Sequence, residues 1–272
     1  MMISQSKLVV LLVVGLLAPG WLWAETRQLV IAYENKEQPP YYMGDTYEVL
    51  PEYPGVAVEM VQLLETKISN ISITLVRAPW GRCLSGLASN QYDGIFNASY
   101  LSDRLEIGWY PTLDGTHTGE VDSSKRITGI RYSLYRRADS SLSWDGEAFQ
   151  GSAEALQSLG APRGYSIVQD LKQRGLSVQE VPGTSNAMLM LLLGRLEGAV
   201  LQDVTADAFL SEADDRYQSI LKEFPPVEDK DYFLMLSHGL VASDPELAQK
   251  IWRSLAEIRE IYGEELRKKY EY

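Results

Sequence analysis

The sequence predicts an α/β fold of two lobes, in which each lobe is a mainly parallel sheet flanked by helices and a two-stranded hinge joins the lobes. Short β-type apolar runs alternate with stretches of helical apolar spacing, which is typical of strand–helix–strand units. A helix, an acidic turn and a strand follow one another twice, in residues 83–99 and in residues 191–203. Polar breaks at 117–128 and 222–231 separate a second series of elements from the first. We therefore interpret the second lobe as an insertion in the first.

The first series starts with a β-run and a loop rich in Pro and Tyr. Its strands and helices are predicted, in chain order, at 27–33, 56–68, 72–80, 81–90 and 92–96. With the chain's return after the second break, residues 25–118 and 225–272 are predicted to form lobe 1.

The second series, residues 119–224, is predicted to form lobe 2. Its strands and helices are predicted, in chain order, at 129–137, 165–175, 176–181, 184–196, 197–203 and 204–214. Back in lobe 1, a strand at 232–238 precedes a long helix from residue 245. That helix has an amphipathic stripe at Leu247, Ile251, Leu255, Ile258 and Ile261.

The first 24 residues have the pattern of a secretory signal. Lys7 precedes an apolar run from Leu8 to Ala18, and a small residue, Ala24, ends the segment. This run is shorter than the roughly 20 residues that span a bilayer, so we expect cleavage after Ala24 rather than retention as an anchor. The only cysteine, Cys83, excludes an intramolecular disulfide. Export without disulfides indicates a protein of the Gram-negative periplasm.

Composition and motifs argue against several classes of function. A formal net charge of −12 disfavours nucleic acid and anionic membranes as partners. The chain has no G-x-S-x-G, HExxH or P-loop motif. His117 and His238 are far apart along the sequence and lack metal-ligand spacing. We therefore expect neither an enzyme nor a cofactor or metal site.

A series of landmarks carries a resemblance to a known family. They are QPPYY after the first strand, then GVAVEMVQLL, APWGRCLSGLASNQYDGI, SYLSDRLEIGWYP, GAPRGYSIVQDL, LLLGRLEGAVLQD and a terminal IYGEELRKKY. In this order the chain resembles the bacterial periplasmic solute-binding proteins of amino-acid type (family 3), as a divergent member. The resemblance covers nearly all of the chain after the signal. It implies a type II periplasmic-binding-protein fold whose lobes close on a small solute. It further implies a monomer that delivers this solute to an inner-membrane ABC permease.

The resemblance implies ligand contacts in lobe 1. Arg104 would grip the α-carboxylate of an amino acid, because a guanidinium fork matches a carboxylate bidentately. Alternatively, Arg104 is a solvated side chain paired with Asp103 or Glu106. Asn97 and Ser99 would hydrogen-bond the carboxylate or the amine of the ligand.

In lobe 2 the resemblance implies an anion site at a helix N-terminus, formed by Gly164 and Ser166 with Arg163 as an additional cation. A turn alone would also account for Gly164. Asp203 would pair with the ligand's amino group, or it caps the helix that starts at Val204.

Aromatic residues near the predicted cleft could form the walls of the site. They are Tyr33, Tyr41, Tyr42 and Trp80, and core packing is the alternative for each. Arg82 could be a second anion grip or a salt bridge that closes the lobes.

Two other functions remain open at this point. A binding protein of this kind could report its ligand to a membrane receptor instead of a permease. The same fold also hosts periplasmic cyclohexadienyl dehydratases, and Arg82, Arg104 and Arg163 would suit their dianionic substrates. The sequence shows no separate general acid for that reaction.

Overall fold

A computed structural model describes residues 26–270 of the chain. The predicted signal segment and its cleavage point at Ala24 lie outside the described residues. Among the residues described, none of the helices combines the length and the apolar character that a membrane crossing requires.

The strands follow the predicted order, with short additional ones in the second half. They are β1 Arg27–Glu34, β2 Ile71–Ala78, β3 Gly94–Ser99, β4 Thr128–Arg137, β5 Ser143–Trp144, β6 Phe149–Gln150, β7 Leu159–Pro162, β8 Val178–Val181, β9 Gly198–Gln202, β10 Ile220–Lys222 and β11 Glu228–Leu236.

The helices flank these strands. They are α1 Val56–Gln62, α2 Leu64–Lys67, α3 Trp80–Ala88, α4 Ala153–Leu156, α5 Ser166–Gln173, α6 Thr184–Leu192, α7 Asp203–Glu212, α8 His238–Ser243 and α9 Pro245–Tyr270. A 3-10 helix at Ser102–Glu106 follows β3.

Each lobe contributes one half of a continuous sheet with the strand order β2-β1-β3-β11-β4-β9-β7-β8, and β10 pairs with β4. In the first half β1 pairs in parallel with β2 and β3. In the second half β7 pairs in parallel with β8 and β9. The predicted α/β fold with mainly parallel strands in both lobes is confirmed.

The hinge consists of two antiparallel strands that belong to both halves of the sheet. Residues Thr128–Tyr132 of β4 pair with Glu228–Tyr232 of β11. From there β4 continues beside β9 in lobe 2, whereas β11 continues beside β3 in lobe 1. The predicted two-stranded hinge is therefore confirmed. It also joins the two sheets into one, which the alternation of elements could not reveal.

The long helix α9 packs against lobe 1 along a stripe that differs from the predicted one at its end. Ile251, Leu255 and Ile258 are buried as predicted, but Ile261 is 58% exposed. The buried stripe continues instead at Leu266. A helix makes one turn every 3.6 residues. Two successive steps of three residues, from Leu255 to Ile258 and on to Ile261, therefore rotate the Ile261 side chain out of the stripe.

The start of α1 depends on a glycine. Gly55 has φ 121°, and a Cβ atom there would lie 2.3 Å from the Tyr41 carbonyl oxygen. We expect Gly55→Ala to lower the free energy of unfolding by on the order of 3 kcal/mol, through backbone strain and overpacking. Urea denaturation measures this loss.

Gly175 provides the matched control, because its φ is also positive, at 82°, but no atom lies within 4 Å of its would-be Cβ. Gly175→Ala should cost only about 1 kcal/mol. Equal losses in the two variants would show that the contact with Tyr41 does not restrain Gly55.

Candidate ligand-binding site

A small cavity lies where the carboxyl ends of strands from both lobes meet, as expected for a ligand site in α/β sheets. Its volume is about 10 Å³, roughly the room that one water molecule needs. Lobe 1 supplies Glu34, Gln38, Tyr42, Trp80, Asn97, Ser99 and Arg104. Lobe 2 and the hinge supply Tyr165, Gln202 and Tyr232. The lobes are therefore closed on each other at this point, and the cavity itself has no space for an amino acid.

Arg104 lies at the centre of this closure. The 3-10 helix after β3 turns its side chain back over the strand end, where it is buried. Its Nη1 donates to the Ser99 carbonyl at 2.8 Å, and its Nη2 donates across the cleft to the Gly164 carbonyl at 2.9 Å. The guanidinium lies 5.4 Å from the centre of the Trp80 ring. Arg104 is thus buried in the cleft and is not a solvated ion-pair residue.

Two serines connect the lobes beside Arg104. The hydroxyls of Ser99, the last residue of β3, and Ser166, the first residue of α5, are 2.7 Å apart. Tyr110 donates its hydroxyl proton to the Ser99 carbonyl at 2.6 Å, which fixes that strand end. The structure therefore brings Arg104, Ser99, Gly164 and Ser166 together.

Glu34 is a buried carboxyl group at the end of β1. Its Oε2 accepts hydrogen bonds from Tyr165 Oη at 2.5 Å, Gln38 Nε2 at 2.7 Å and Tyr42 Oη at 3.5 Å. Burial raises the pKa of Glu34 from its ordinary value near 4.5 to about 7, although hydrogen bonds, chiefly from Tyr165, oppose the shift. Glu34 is therefore an acceptor within the cavity that gains a proton near neutral pH.

The hinge forms the floor of the cavity. Gln202 Nε2 lies 3.3 Å from the Tyr132 hydroxyl and 3.2 Å from the Tyr232 hydroxyl. These two hydroxyls also hydrogen-bond each other, which couples β4 to β11.

Three polar atoms of residues that line the cavity have no hydrogen-bond partner among the described residues. They are Gln38 Oε1, Asn97 Nδ2 and Gln202 Oε1. All three side chains are buried, and Asn97 has a positive φ of 58°. Unpaired polar atoms and a strained backbone are costly and occur often at binding sites. The residues around the cavity thus have one donor and two acceptor atoms that could hydrogen-bond to a polar ligand.

Asp203 lies on the other side of the hinge from this cavity. Strand β9 ends at Gln202, and Asp203 is already the first residue of α7. Its Oδ2 lies 3.2 Å from Arg131 Nε and 3.6 Å from Lys222 Nζ. Arg131 and the cavity-facing Tyr132 are consecutive in β4, so they point to opposite faces of the sheet. The structure therefore does not bring Asp203 to Arg104, and Gln202 lines the cavity instead.

Four other predicted site residues also lie outside the cavity. Tyr33 stacks on Phe96 in the core at 4.8 Å, because it precedes Glu34 in β1 and points to the opposite face. Tyr41 donates its hydroxyl proton to a hinge carbonyl at 3.4 Å and lines the groove that contains Asp203. Arg82 and Arg163 are exposed. Arg82 lies two positions after Trp80 in α3, about 200° around the helix, which directs it away from the cleft.

The cavity residues that the sequence analysis missed are Glu34, Gln38, Tyr165, Gln202 and Tyr232. A signal existed for Glu34, since it ends a strand whose carboxyl end was already predicted to face the cleft. No comparable signal exists for Tyr165, because its role depends on how far lobe 2 approaches lobe 1.

The two histidines, far apart in the sequence, are neighbours in the structure. The rings of His117 and His238 are 5.1 Å apart, and Trp109 Nε1 donates to His238 Nδ1 at 3.0 Å. In the part of the chain that the structure describes, no group of three or more His, Cys, Asp or Glu residues could hold a metal ion. Neither histidine lines the cavity.

Comparisons with known proteins identify the fold. No protein-family model matches the chain, and no curated protein is similar to it in sequence. Many solved structures are similar in fold. A histidine kinase sensor domain with similarity to periplasmic binding proteins is 18% identical, with a TM-score of 0.66, and the alignment covers 90% of this chain and 96% of that one.

Two further solved structures represent other functions. An ancestral arginine-binding protein bound to arginine is 15% identical with a TM-score of 0.66, and 90% of this chain and 99% of that one are covered. An ancestral amino acid-binding protein, a precursor of cyclohexadienyl dehydratase, is 12% identical with a TM-score of 0.61, and the coverage is 89% and 94%. The chain thus has the two-lobed fold of the periplasmic binding proteins, and at these identities the likeness concerns the fold alone.

The raised pKa of Glu34 predicts a dependence of stability on pH. Its contribution to stability is fully present below its ordinary pKa near 4.5 and is lost as pH rises through about 7. Glu34→Gln carries no titrating group and should not lose this contribution. We expect the free energy of unfolding of the variant, relative to the wild type, to rise by up to about 3 kcal/mol between acidic pH and pH 8.

Urea denaturation at several pH values tests this expectation. Glu52→Gln is the control for the substitution itself, because Glu52 is exposed and lies outside the cavity. Parallel profiles for Glu34→Gln and the wild type would contradict the assignment.

Proposed function

We propose that this protein binds a small polar solute bearing a carboxylate, an amino acid or a related compound, between its two lobes. The lobes would open to admit the solute and close on it. The protein would act in the periplasm, after removal of its first 24 residues.

One observation carries this proposal. The cavity combines the buried guanidinium of Arg104 with the unpartnered polar atoms of Gln38, Asn97 and Gln202. A few convergent polar groups in a cleft between lobes are typical of a small-molecule site. Arg104 offers two parallel donors in the geometry that a carboxylate accepts. The likeness in fold to an arginine-binding protein supports the same class of solute.

After binding, the closed protein would deliver the solute to an inner-membrane ABC permease. A second candidate is the reporting of the solute to a membrane receptor, which the likeness in fold to a histidine kinase sensor domain favours. Deletion of the gene separates the two roles. Loss of solute uptake supports delivery, whereas intact uptake with a lost transcriptional response supports sensing.

A thermal-shift screen tests solute binding directly. The solutes are the α-amino acids, small dicarboxylates, polyamines and short peptides. A solute at 100 times its dissociation constant adds about 2.7 kcal/mol of stability, which should raise Tm by about 5–10 °C. Shifts with α-amino acids would support the proposal.

Other outcomes of the screen would contradict it. A rise in Tm with polyamines alone would show that the solute does not need a carboxylate. Turnover of prephenate or arogenate by the pure protein would identify a dehydratase instead of a binding protein.

Arg104→Lys tests the carboxylate contact. Lysine retains the charge but loses the two parallel donors, so we expect the solute-induced rise in Tm to fall to a small fraction of the wild-type value. Arg82→Lys is the matched control, because Arg82 lies on the neighbouring helix α3 but is exposed and outside the cavity. If Arg104→Lys showed the full solute-induced rise in Tm, Arg104 would not be a contact of the solute.

A further inference from the structure

We propose that Gly164 and Tyr165 act as an internal substitute for the solute. In the closed cleft they occupy the hydrogen-bonding positions that the solute would use, and they thereby select a solute that offers both an acceptor and a donor. This inference rests on the proposed function, since it concerns the same cleft.

The acceptor is the Gly164 carbonyl. It receives a hydrogen bond from Arg104 Nη2 at 2.9 Å and a second one from Trp80 Nε1 at 3.3 Å. Both donors belong to lobe 1, whereas Gly164 belongs to the turn before α5 in lobe 2. The carbonyl oxygen thus occupies the position in which a carboxylate oxygen would meet the guanidinium.

The donor is the Tyr165 hydroxyl. It crosses the cleft to Glu34 Oε2 at 2.5 Å and also hydrogen-bonds to the side chain of Gln38. The Tyr165 ring packs against a core cluster of lobe 1 that includes Trp80 and Cys83. Tyr165 also packs against a second cluster, which contains residues of both lobes. Its ring therefore lies between the lobes, beside the cavity of about 10 Å³.

Together the two residues present the groups that an amino acid would present. A carboxylate can replace the Gly164 carbonyl at Arg104, and an ammonium or hydroxyl group can replace the Tyr165 hydroxyl at Glu34. A solute with a carboxylate alone leaves the buried carboxyl of Glu34 without its donor, which is unfavourable. The cleft should thus prefer amino acids over simple carboxylic acids.

Small-angle X-ray scattering of the ligand-free protein tests the substitution without any solute. We expect the wild type to be compact, with a radius of gyration of roughly 18 Å for a chain of this length. Tyr165→Phe removes only the hydroxyl, and Tyr165→Ala also removes the ring that packs between the lobes. Both variants should be more open, with a radius of gyration that increases from the wild type to Phe and further to Ala.

Tyr47→Ala is the control, because Tyr47 is 67% exposed in a loop of lobe 1. Its radius of gyration should equal that of the wild type. If the radius of gyration of Tyr165→Ala also equals that of the wild type, the proposal is overturned, whether both proteins are compact or both are open. Tyr165→Phe retains the packing of the ring, so the comparison remains decisive if Tyr165→Ala does not fold.

Titration with L-glutamate and with glutarate tests the selection, because the two differ only by the ammonium group. Removal of one charge-assisted hydrogen bond that competes with the solute should tighten L-glutamate binding by about tenfold in Tyr165→Ala. Glutarate should bind neither protein measurably. Equal or weaker L-glutamate binding in the variant, or equal binding of both compounds, would overturn the proposal.

The two proposals can fail separately. If the scattering differs as expected but no compound of the thermal-shift screen binds, Tyr165 holds the lobes together in a protein that is not a solute receptor. If solutes bind but the scattering is unchanged, the solute-binding function stands and the internal substitution is wrong.

Discussion

The pairing of β4 with β11 is the constraint on which the rest of the structure depends. These two strands are the only strands of the described sheet that connect its two halves, and the Tyr132 and Tyr232 hydroxyls couple them. Since strand residues alternate between faces, each residue near the hinge belongs to one side of the sheet. This alternation places Gln202 with Arg104 and places Asp203 with Arg131 on the opposite side. The chemistry of the cleft therefore follows from the register of the hinge.

The closed cleft provides hydrogen-bond partners for two ionisable side chains that it buries. Arg104 and Glu34 are both buried, and a buried charge is costly unless it is hydrogen-bonded. In each case lobe 2 supplies a partner, the Gly164 carbonyl for the cation and the Tyr165 hydroxyl for the carboxyl. Opening the lobes would replace these partners with water. The balance between the open and closed states thus depends on a few hydrogen bonds, and any solute must compete with the same few.

The sequence was sufficient for the order of strands and helices along the chain and for the two-stranded hinge, because hydrophobic periodicity and polar breaks are local signals. It also indicated that Arg104, Ser99, Gly164 and Ser166 would meet. It was not sufficient at the end of β9, where a shift of one residue exchanges Asp203 for Gln202.

The sequence could not reveal the role of Tyr165 either. In the sequence this residue is an aromatic side chain before a helix, and only the approach of the two lobes brings its hydroxyl to Glu34. The same holds for His117 and His238, whose contact depends on how the chain returns through β11. Local patterns therefore predict which element a residue belongs to, whereas partners across the cleft depend on the assembled fold.

If Gly164 and Tyr165 act as an internal substitute, the contacts of the solute alone do not determine its affinity. A solute shifts the protein only by the difference between its own interactions and those that it displaces. If Gly164 and Tyr165 already satisfy Arg104 and Glu34, much of the gross interaction energy of a solute merely replaces what the protein had. The observed affinity is then reduced by the fraction of molecules that are competent to bind. A permease or receptor that recognised only closure would respond to the empty protein as well. If the proposed partner distinguishes the two closed forms, it reads a feature that differs between them, and the position of the Tyr165 ring between the lobes is the feature that a bound solute would change most.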